Sequence, residues 1–291
     1  MSAPGAPRRI AYLYILPAFA FYILCVLLPV IATLGISFLT WDGLTPAHWN
    51  GLGNYLDLFH DERALTALRN ALVFIVYYSI LPVAAGLLLA GVMARAPIHG
   101  LTFFRTALFL PQILSGVVIG LIWIWVYSIN GGPVNAFLGL IGLGYLRDAW
   151  LGSFAWALHA VGFIGFWVDF GFCMVLFLAG VQKIPAELYD AARVDGAGRF
   201  REFVAVTAPA IRYEIAVALV LTIITAMRNF DTIWNSSQGG PGITTIVPSI
   251  EVYNRALLTG QVGSASALAI AVALITLVLT VTVLRVFESP E

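Results

Sequence analysis

Charged residues are scarce in this chain of 291 residues, of which only 10% are Asp, Glu, Lys or Arg. Globular domains contain about 25% charged and about 45 to 50% apolar residues, whereas 60% of the residues are hydrophobic here. This composition excludes an ordinary water-soluble domain and predicts a protein that lies in a lipid bilayer. The formal net charge is zero, so no overall basic field indicates a nucleic-acid partner.

Residues that support common catalytic sites are also rare. Lysine occurs once, at Lys183 in AGVQKIP, whereas a phosphate-binding loop needs a glycine directly before its lysine and Ser or Thr directly after it. The four histidines have no metal-ligand spacing, and neither G-x-S-x-G nor H-E-x-x-H occurs. We therefore expect no ATP hydrolysis, no metal and no cofactor in this chain, which is not predicted to be an enzyme.

Cysteine is limited to two positions, Cys25 and Cys173, and both fall inside apolar runs. A small buried hydrophobic side chain is the better interpretation of each than a disulfide partner or a metal ligand. The sequence therefore predicts two unpaired, buried thiols.

Long apolar runs, in contrast, are abundant. A helix crosses a hydrocarbon core of about 30 Å with about 20 apolar residues, and six segments meet that test. Because a spanning segment must satisfy its own backbone hydrogen bonds, the sequence predicts an all-α membrane protein with a single transmembrane domain over residues 1–291. The six predicted transmembrane helices cover residues 12–38, 70–94, 106–129, 154–180, 210–230 and 264–284.

The basic residues predict how these spans are oriented. With the N-terminus in the cytoplasm, ten of the fifteen Lys and Arg residues fall on the cytoplasmic side, where basic loop residues concentrate. Both termini are therefore expected in the cytoplasm. The loops 39–69, 130–153 and 231–263 are expected outside, and the loop 181–209 is the largest cytoplasmic feature.

This cytoplasmic loop carries a polar island that reads PAELYDAARVDGAGRFREFVAVTAPAI from residue 185 to residue 211. A solvated connecting loop would be the ordinary explanation. The island, however, has almost as many acids as bases. Leu188, Ala191 and Ala192 also form a face of small side chains, unlike the bulky face of a helix that lies in lipid headgroups. A protein partner explains both features better.

The island is predicted to fold as two short helices joined by a turn. Pro185 suits the first turn of a helix, where its missing N–H is no loss. Asp195-Gly196 is a turn signal, because glycine readily takes the positive φ that ends a helix. A second helix is predicted over residues 199–206, and Pro209 is expected to restart the chain at the fifth span.

The pattern of Asp190, Ala191, Ala192, Gly196 and Pro209 resembles the EAA loop of binding-protein-dependent ABC importer permeases. Asp190 takes the position of the usual glutamate and is one methylene shorter, so a contact that this glutamate makes with the ATPase would be longer or differently placed here. The fuller form IPAELYDAARVDGAGRF is similar to the sugar-importing branch of these permeases.

Further motifs extend the resemblance over essentially the whole chain. Asn229-Phe230-Asp231 and Gly239-Gly240-Pro241 resemble the fifth-loop signature of the UgpA/MalF-like half of such permease pairs, in carbohydrate uptake transporter family 1. Phe104-Arg105-Thr106 resembles the third-span signature. Unlike the maltose-type relative, this chain is expected to have neither a large inserted outer domain nor extra N-terminal spans.

The resemblance implies a type I ABC importer permease fold in the cytoplasmic (inner) membrane of a bacterium or archaeon. It also implies four kinds of partner: a second homologous permease, two ATPase subunits that bind ATP and Mg, an extracytoplasmic solute-binding protein, and a sugar or sugar-like substrate. In this family the island is a coupling helix that docks on the ATPase. The residues so implied in ATPase coupling are Glu187, Leu188, Asp190, Ala191, Ala192, Asp195, Gly196 and Pro209.

Asp169 is the only acid deep inside a predicted span. An ionised acid there costs at least about 2.5 kcal/mol on insertion scales, so it normally faces a cavity or a partner. A structural pair with an arginine and a polar lining for substrate both remain open. Its neighbour Trp167 offers an aromatic face of the kind that packs on a sugar ring, and Gly171 could loosen the helix there.

Asn229, Asp231 and Trp234 cluster at the outer end of the fifth span. An interfacial tryptophan beside a helix-ending Asn-Phe-Asp is one explanation, and a continuation of the substrate pathway is the other. The candidate pathway residues are therefore Trp167, Asp169, Asn229, Asp231 and Trp234.

Two other function classes compete with the importer. A self-sufficient ion-coupled transporter would need intramembrane ionisable relays and usually paired internal repeats, and no repeat is visible in this sequence. A membrane scaffold that recruits a signalling protein through the island would leave the Gly-Gly-Pro loop and the acid-bearing span without a use.

Overall fold

A computed structural model describes residues 8–93 and 100–287, with side chains from residue 14 onward. The predicted all-α architecture is confirmed: among the described residues, the only strands are the short antiparallel pair β1 (Leu39–Thr40) and β2 (His48–Trp49). Residues 1–7 and 288–291, which include both predicted cytoplasmic termini, lie outside the described residues, as does the end of the second predicted span at Ala94.

The α-helices, in chain order, are α1 (Arg8–Tyr22), α2 (Leu28–Ile36), α3 (Gly53–Leu58), α4 (Glu62–Ile75), α5 (Leu81–Met93), α6 (Leu101–Phe109), α7 (Gly116–Val126), α8 (Pro133–Leu140), α9 (Ala157–Val181), α10 (Ala186–Val194), α11 (Arg199–Glu202), α12 (Ala208–Ala210), α13 (Arg212–Arg228), α14 (Asp231–Ser236), α15 (Pro248–Tyr253) and α16 (Val262–Phe287). Wider π-helical turns occupy Ile23–Leu27, Val76–Ile80, Phe203–Thr207 and Asn254–Leu258, and tighter 3₁₀ turns occupy Leu110–Ile113 and Gly144–Leu146.

The chain divides into two compact units. The described part of the first covers residues 8–60 and 252–271. Its hairpin is held by Asn54, whose side-chain amide donates hydrogen bonds of 2.8 Å to the Ser37 and Leu39 carbonyl oxygens. Gly263 at the start of α16 lies so close to the Leu39 carbonyl that a Cβ atom would overlap it.

The first unit also contains the most exposed helix of the chain. The helix is continuous and apolar over Tyr14–Ile36, and none of its most apolar 18-residue window is buried against other residues of the chain. The prediction for Cys25 was therefore wrong, because this residue is exposed within the isolated chain, whereas Cys173 is buried as expected. An apolar helix of this length is suited to a lipid environment.

The second unit covers residues 61–251 and the described residues from 272 to 287. Its centre is the packing of α5 against α9, where a Cβ atom added to Gly86 would lie 2.7 Å from the Cys173 Cβ atom. Gly171 on α9 similarly lies against the Leu108 carbonyl of α6, which a Cβ atom at this position would overlap. The sequence had suggested that Gly171 loosens its helix. Instead α9 is continuous from Ala157 to Val181, and the glycine permits a close approach of two helices.

The segment predicted as the third span is not one straight helix. Leu101–Ile113 and Gly116–Val126 meet at an angle of 104°. Leu114 and Ser115 between them are extended, and the Ser115 hydroxyl caps the second helix by accepting a hydrogen bond from the Val118 backbone N–H. A serine N-cap starts a helix in a new direction because its own backbone is not helical.

The entrance to the fifth span also differs from its prediction. Pro209 does not restart the chain, because it lies in α12, near the end of the continuous helix Arg199–Ala210. The break falls at Ile211, and the helix Arg199–Ala210 meets Arg212–Arg228 at 72°.

Four helices in the described part of the chain are long and apolar enough to cross a membrane, and the number rises to six if each bent pair forms one span. The four continuous helices are Tyr14–Ile36, Glu62–Met93, Ala157–Val181 and Val262–Phe287.

Candidate functional site

A cavity of about 290 Å³ lies in the second unit beside α9 and the junction of α13 with α14. Its lining combines apolar residues of these helices with an unusual number of polar side chains for a span region. The polar side chains include Tyr78, Asp169, Thr225, Arg228, Asn229 and Asp231.

Asp169 is the most deeply buried acid of this lining, with 3% of the residue exposed. Within the described residues its Oδ2 atom accepts no hydrogen bond. The Tyr78 residue is equally buried, and its hydroxyl lies near the Asn229 side chain without forming a hydrogen bond of good geometry within the described residues. Buried polar atoms are rarely left unpaired in native proteins, and both of these residues line the cavity.

Glycines shape the walls of this cavity. Gly165 on α9 lies against the Tyr78 ring, which a Cβ atom at that position would overlap. A Cβ atom on Gly116 would lie 2.8 Å from the Asp231 Cβ atom and 3.2 Å from the Thr232 hydroxyl. Because these glycines have no Cβ atom, α7 can approach α14 and the Tyr78 ring can lie against α9. These close contacts set the position of the polar lining.

The junction of α13 and α14 presents Asn229 and Asp231. Asn229 is extended and ends α13, while Asp231 is the first residue of α14. The Ser249 hydroxyl donates a hydrogen bond of 2.6 Å to the Asn229 carbonyl oxygen, which fixes the turn from outside the cavity. The Asn235 side-chain amide donates a bond of 2.8 Å to the Asp231 carbonyl oxygen. The two candidate side chains are therefore placed by backbone contacts and remain available to the cavity.

Three of the five candidate pathway residues, Asp169, Asn229 and Asp231, line this cavity together. Trp167 lies elsewhere, because two residues along an α-helix correspond to a rotation of about 200°. Its ring packs edge-to-face on Trp123 at 5.5 Å, and it lines a separate, largely apolar cavity of about 110 Å³. Trp234 stacks on Phe230 with ring centres 5.4 Å apart and is outside the lining.

Sequence reasoning missed Tyr78, Thr225 and Arg228. Arg228 ends α13, where a long basic side chain ordinarily extends to the membrane interface, so its position in the sequence did not by itself indicate the cavity. Tyr78 and Thr225 gave no signal either, because their side chains are common in apolar helices and their orientation depends on helix packing.

The polar island folds into the predicted helix, turn and helix. After α10, Gly196 has φ of 74°, in the left-handed region that glycine tolerates. The Gly196 N–H donates to the Arg193 carbonyl at 3.0 Å and the Ala197 N–H donates to the Ala192 carbonyl at 2.9 Å. These bonds satisfy carbonyl groups at the end of the helix. The second helix, α11, is shorter than the predicted 199–206 and continues as a π-helical turn.

Arg193 joins the two helices of the island. Its Nη1 atom lies 3.0 Å from Asp190 Oδ1 on the same helix, and its Nε atom lies 3.2 Å from Glu202 Oε1 on α11. The Glu202 side chain is 3% exposed, whereas those of Arg193 and Asp190 are 58% and 67% exposed. Asp190, which the sequence comparison placed at the position of a partner-binding glutamate, therefore has a partner within its own chain.

The outer surface of the island is apolar as well as charged. Leu188 and Ala191 are exposed, while Ala192 is half-buried. The structure adds two exposed apolar side chains that the predicted face did not include, Val194 and Phe200, which are 88% and 81% exposed. Exposed apolar side chains beside Glu187 and Asp195 form a surface that suits a protein groove.

Known proteins are similar to this chain over most of its length. Residues 86–288 match the family described as "Binding-protein-dependent transport system inner membrane component". "Probable ABC transporter permease protein YurN" of Bacillus subtilis is 36% identical, with 90% of each chain covered. "Diacetylchitobiose uptake system permease protein NgcF" of Streptomyces coelicolor is 34% identical over 86% of this chain and 74% of the relative.

The same similarity is seen among solved structures. A bacterial ABC transporter involved in the import of the acidic polysaccharide alginate contains a chain with a TM-score of 0.81 and 25% identity, covering 96% of this chain and 94% of its own. A second structure, of the bacterial alginate ABC transporter in complex with an alginate pentasaccharide-bound periplasmic protein, gives the same TM-score at 24% identity and therefore supports the fold alone.

Proposed function

This chain belongs to the family of binding-protein-dependent transport system inner membrane components, and from that premise we propose that it is one permease subunit of an ATP-driven importer for a sugar. Two related proteins are named for the uptake of diacetylchitobiose and for a multiple sugar-binding transport system. These names support a saccharide as the solute class.

The observation that carries the proposal is the presence of two unlike surfaces in one multi-pass chain. One is a small cavity with buried, unpaired polar atoms beside α9. The other is an exposed helical island on the opposite side of the predicted topology, at Glu187–Glu202. A solute pathway explains the first and a docking site for an ATPase explains the second. The importer is the function class that uses both.

In the proposed mechanism, this chain pairs with a second homologous permease and with two ATPase subunits, which bind ATP and Mg. The coupling residues are Glu187, Leu188, Asp190, Ala191, Ala192, Asp195, Gly196 and Pro209. Closure of the ATPases would move the island and, through the bent helices that follow it, would change the tilt of α13. Such a movement switches the pathway between inward-facing and outward-facing states, each of which is stabilised by different contacts.

An extracytoplasmic binding protein would deliver the sugar to the outer loops, including the Gln238–Gly242 turn. The complex of the alginate transporter with a periplasmic protein supports this arrangement. On this proposal the importer lies in the cytoplasmic membrane and the cavity with Asp169, Asn229 and Asp231 is part of the substrate pathway.

Uptake by the reconstituted importer tests the function. We expect uptake of a labelled sugar to require ATP inside the vesicles and to stop when the ATPase subunit carries an inactivating substitution in its phosphate-binding loop. The matched control is a protonophore, which should leave uptake unchanged. Uptake that persists with the inactive ATPase and stops with the protonophore would instead identify an ion-coupled transporter.

A further inference from the structure

The cavity beside α9 has an unequal distribution of charge. Its lining holds two carboxylates, Asp169 and Asp231, and one guanidinium, Arg228. The two kinds of group also differ in depth, because Asp169 is buried whereas Arg228 and Asp231 are exposed. Water screens an exposed charge much more effectively than a buried one. When it is ionised, the buried carboxylate therefore has the largest effect on a ligand that enters the cavity.

The unpaired atom of this carboxylate indicates what the ligand must offer. Asp169 Oδ2 has no hydrogen-bond donor among the described residues, and an ionised carboxylate can only accept hydrogen bonds. The nearby Tyr78 hydroxyl can donate or accept. A ligand with neighbouring hydroxyl groups satisfies both atoms, since each hydroxyl is a donor and an acceptor. A ligand carboxylate offers acceptors alone.

The size of the cavity limits how much of a saccharide it holds. Its volume of about 290 Å³ is at the lower end of the about 300 to 1,000 Å³ usual for small-molecule sites. It therefore suits a single sugar ring better than a long stretch of oligosaccharide. The stacked Phe230 also lines the cavity and provides an apolar surface for the C–H face of such a ring.

We propose that this cavity accepts an uncharged sugar ring, whose hydroxyl groups donate to Asp169, and rejects sugars that carry a carboxylate. This inference rests on the proposed function, because it defines the substrate class of the same pathway. It also separates this chain from the alginate importer with which it shares a fold, since that transporter takes an acidic polysaccharide. The distinction would arise from the charge of side chains in the cavity, without a change of architecture.

Two pairs of simple sugars test the charge preference with the ring held constant. Glucose and glucuronate differ at C6 alone, where a hydroxymethyl group is replaced by a carboxylate, and galactose and galacturonate form the second pair. Saturation-transfer NMR would measure the binding of each probe to the full chain in lipid nanodiscs, purified with the subunits that remain bound. We expect the neutral member of at least one pair to bind about tenfold more tightly than its acid, because a like charge in a poorly screened site is unfavourable.

Asp169→Asn separates the charge of this side chain from its shape. The amide has the same size and can still bond to a hydroxyl group, but it carries no charge, so the measured quantity is the ratio of neutral-sugar binding to acid binding, which should fall toward equality. Asp57→Asn, at an exposed acid of α3 outside the lining, is the control and should retain the full preference. Thermal melting of each variant would show that the fold is intact.

The outcomes separate this inference from the function on which it rests. Equal binding of neutral and acidic sugars by the unsubstituted protein would overturn the charge preference and leave the importer proposal standing. A preference that survives Asp169→Asn would overturn the role of Asp169. Failure of all four sugars to bind, together with absence of ATP-dependent sugar uptake, would overturn the proposed function itself.

Discussion

The cavity beside α9 and the polar island differ in how their polar and apolar side chains are buried. In the cavity, Asp169 is 3% exposed and its Oδ2 atom lacks a partner among the described residues. In the island, Arg193 is well exposed and contacts two carboxylates of its own chain, while the apolar Val194 and Phe200 project from the surface. The cavity therefore contains a buried polar atom without a hydrogen-bond partner, whereas the island exposes apolar side chains to water.

This difference teaches what each region is suited to bind. A buried acceptor without a donor suits a small ligand that carries hydroxyl groups. Exposed apolar side chains are suited to contact with another protein, because the interface removes them from water. The glycines of the two regions also have different roles. Those around Asp169 permit close packing of buried helices, whereas Gly196 permits a turn on an open surface.

The largest expected effect is that of Gly171→Ala on the helix that carries Asp169. The added Cβ atom would overlap the Leu108 carbonyl, a backbone atom that cannot rotate away. Overpacking of this kind costs about 1 to 3 kcal/mol or more, so the free energy of unfolding should fall by about that amount and the melting temperature should fall with it. Thermal unfolding of the purified protein would measure the change.

Gly198→Ala is the matched control for this substitution in the island. No atom lies within 4 Å of its added Cβ, and its φ of −73° is open to any residue. Its melting temperature should equal or slightly exceed that of the unsubstituted protein, because alanine restricts the unfolded chain. Equal melting of the two variants would contradict the close approach of α9 and α6.

A smaller effect on stability, but a large one on transport, is expected for Gly196→Val. At φ of 74° a non-glycine residue costs about 1 to 2 kcal/mol, and β-branching adds to the strain. The variant should remain inserted in the membrane but should lose sugar uptake or binding of the ATPase subunits. Measured uptake and co-purification of the ATPase would report the two outcomes.

Gly198→Val provides the comparison for that turn, since its backbone is extended and its surroundings are open. Valine is readily accommodated there, so uptake should be close to normal. If both valine variants lose uptake equally, the loss reflects a new side chain on the docking surface, and the positive φ of Gly196 is not the cause.

The smallest expected effect concerns the ion pairs of Arg193. Asp190→Asn removes a contact between two exposed groups and should change the melting temperature little, because such pairs contribute about 0 to 1 kcal/mol. Arg193→Gln removes the ion pair of the buried Glu202 as well and should destabilise the island more. Limited proteolysis of the loop would detect the difference. Faster cleavage of the Asp190→Asn variant than of the Arg193→Gln variant would contradict the larger contribution that we assign to the pair of Arg193 with Glu202.

Much of the fold could be predicted because it depends on local properties of the sequence. The long apolar runs fixed the all-helical architecture, and the Asp-Gly pair after α10 fixed the turn at Gly196. The bend at Leu114 and Ser115 was missed because residues 106–129 were assigned from their overall hydropathy, although Pro111, Gln112 and Ser115 interrupt the apolar run there. Hydropathy measures how apolar a segment is and contains no information about where its backbone changes direction.

The candidate site was predicted in part, for a related reason. Asp169 was recognised because an acid in an apolar span is costly wherever its side chain points. Trp167, two residues away, was grouped with it on distance along the chain alone, and its ring packs on the other side of α9 against Trp123. Arg228 and Tyr78 joined the cavity through the packing of separate helices, which no local pattern records.

The sequence by itself determined the solvent in which this protein folds, its helices and the glycine turn of its polar island, because each depends on neighbouring residues and on transfer from water to lipid. The tertiary structure alone decided which polar side chains share a cavity and that Asp190 has a partner within its own chain. Those relationships depend on how glycines such as Gly165 and Gly116 let distant helices approach, so they exist only after the helices have packed.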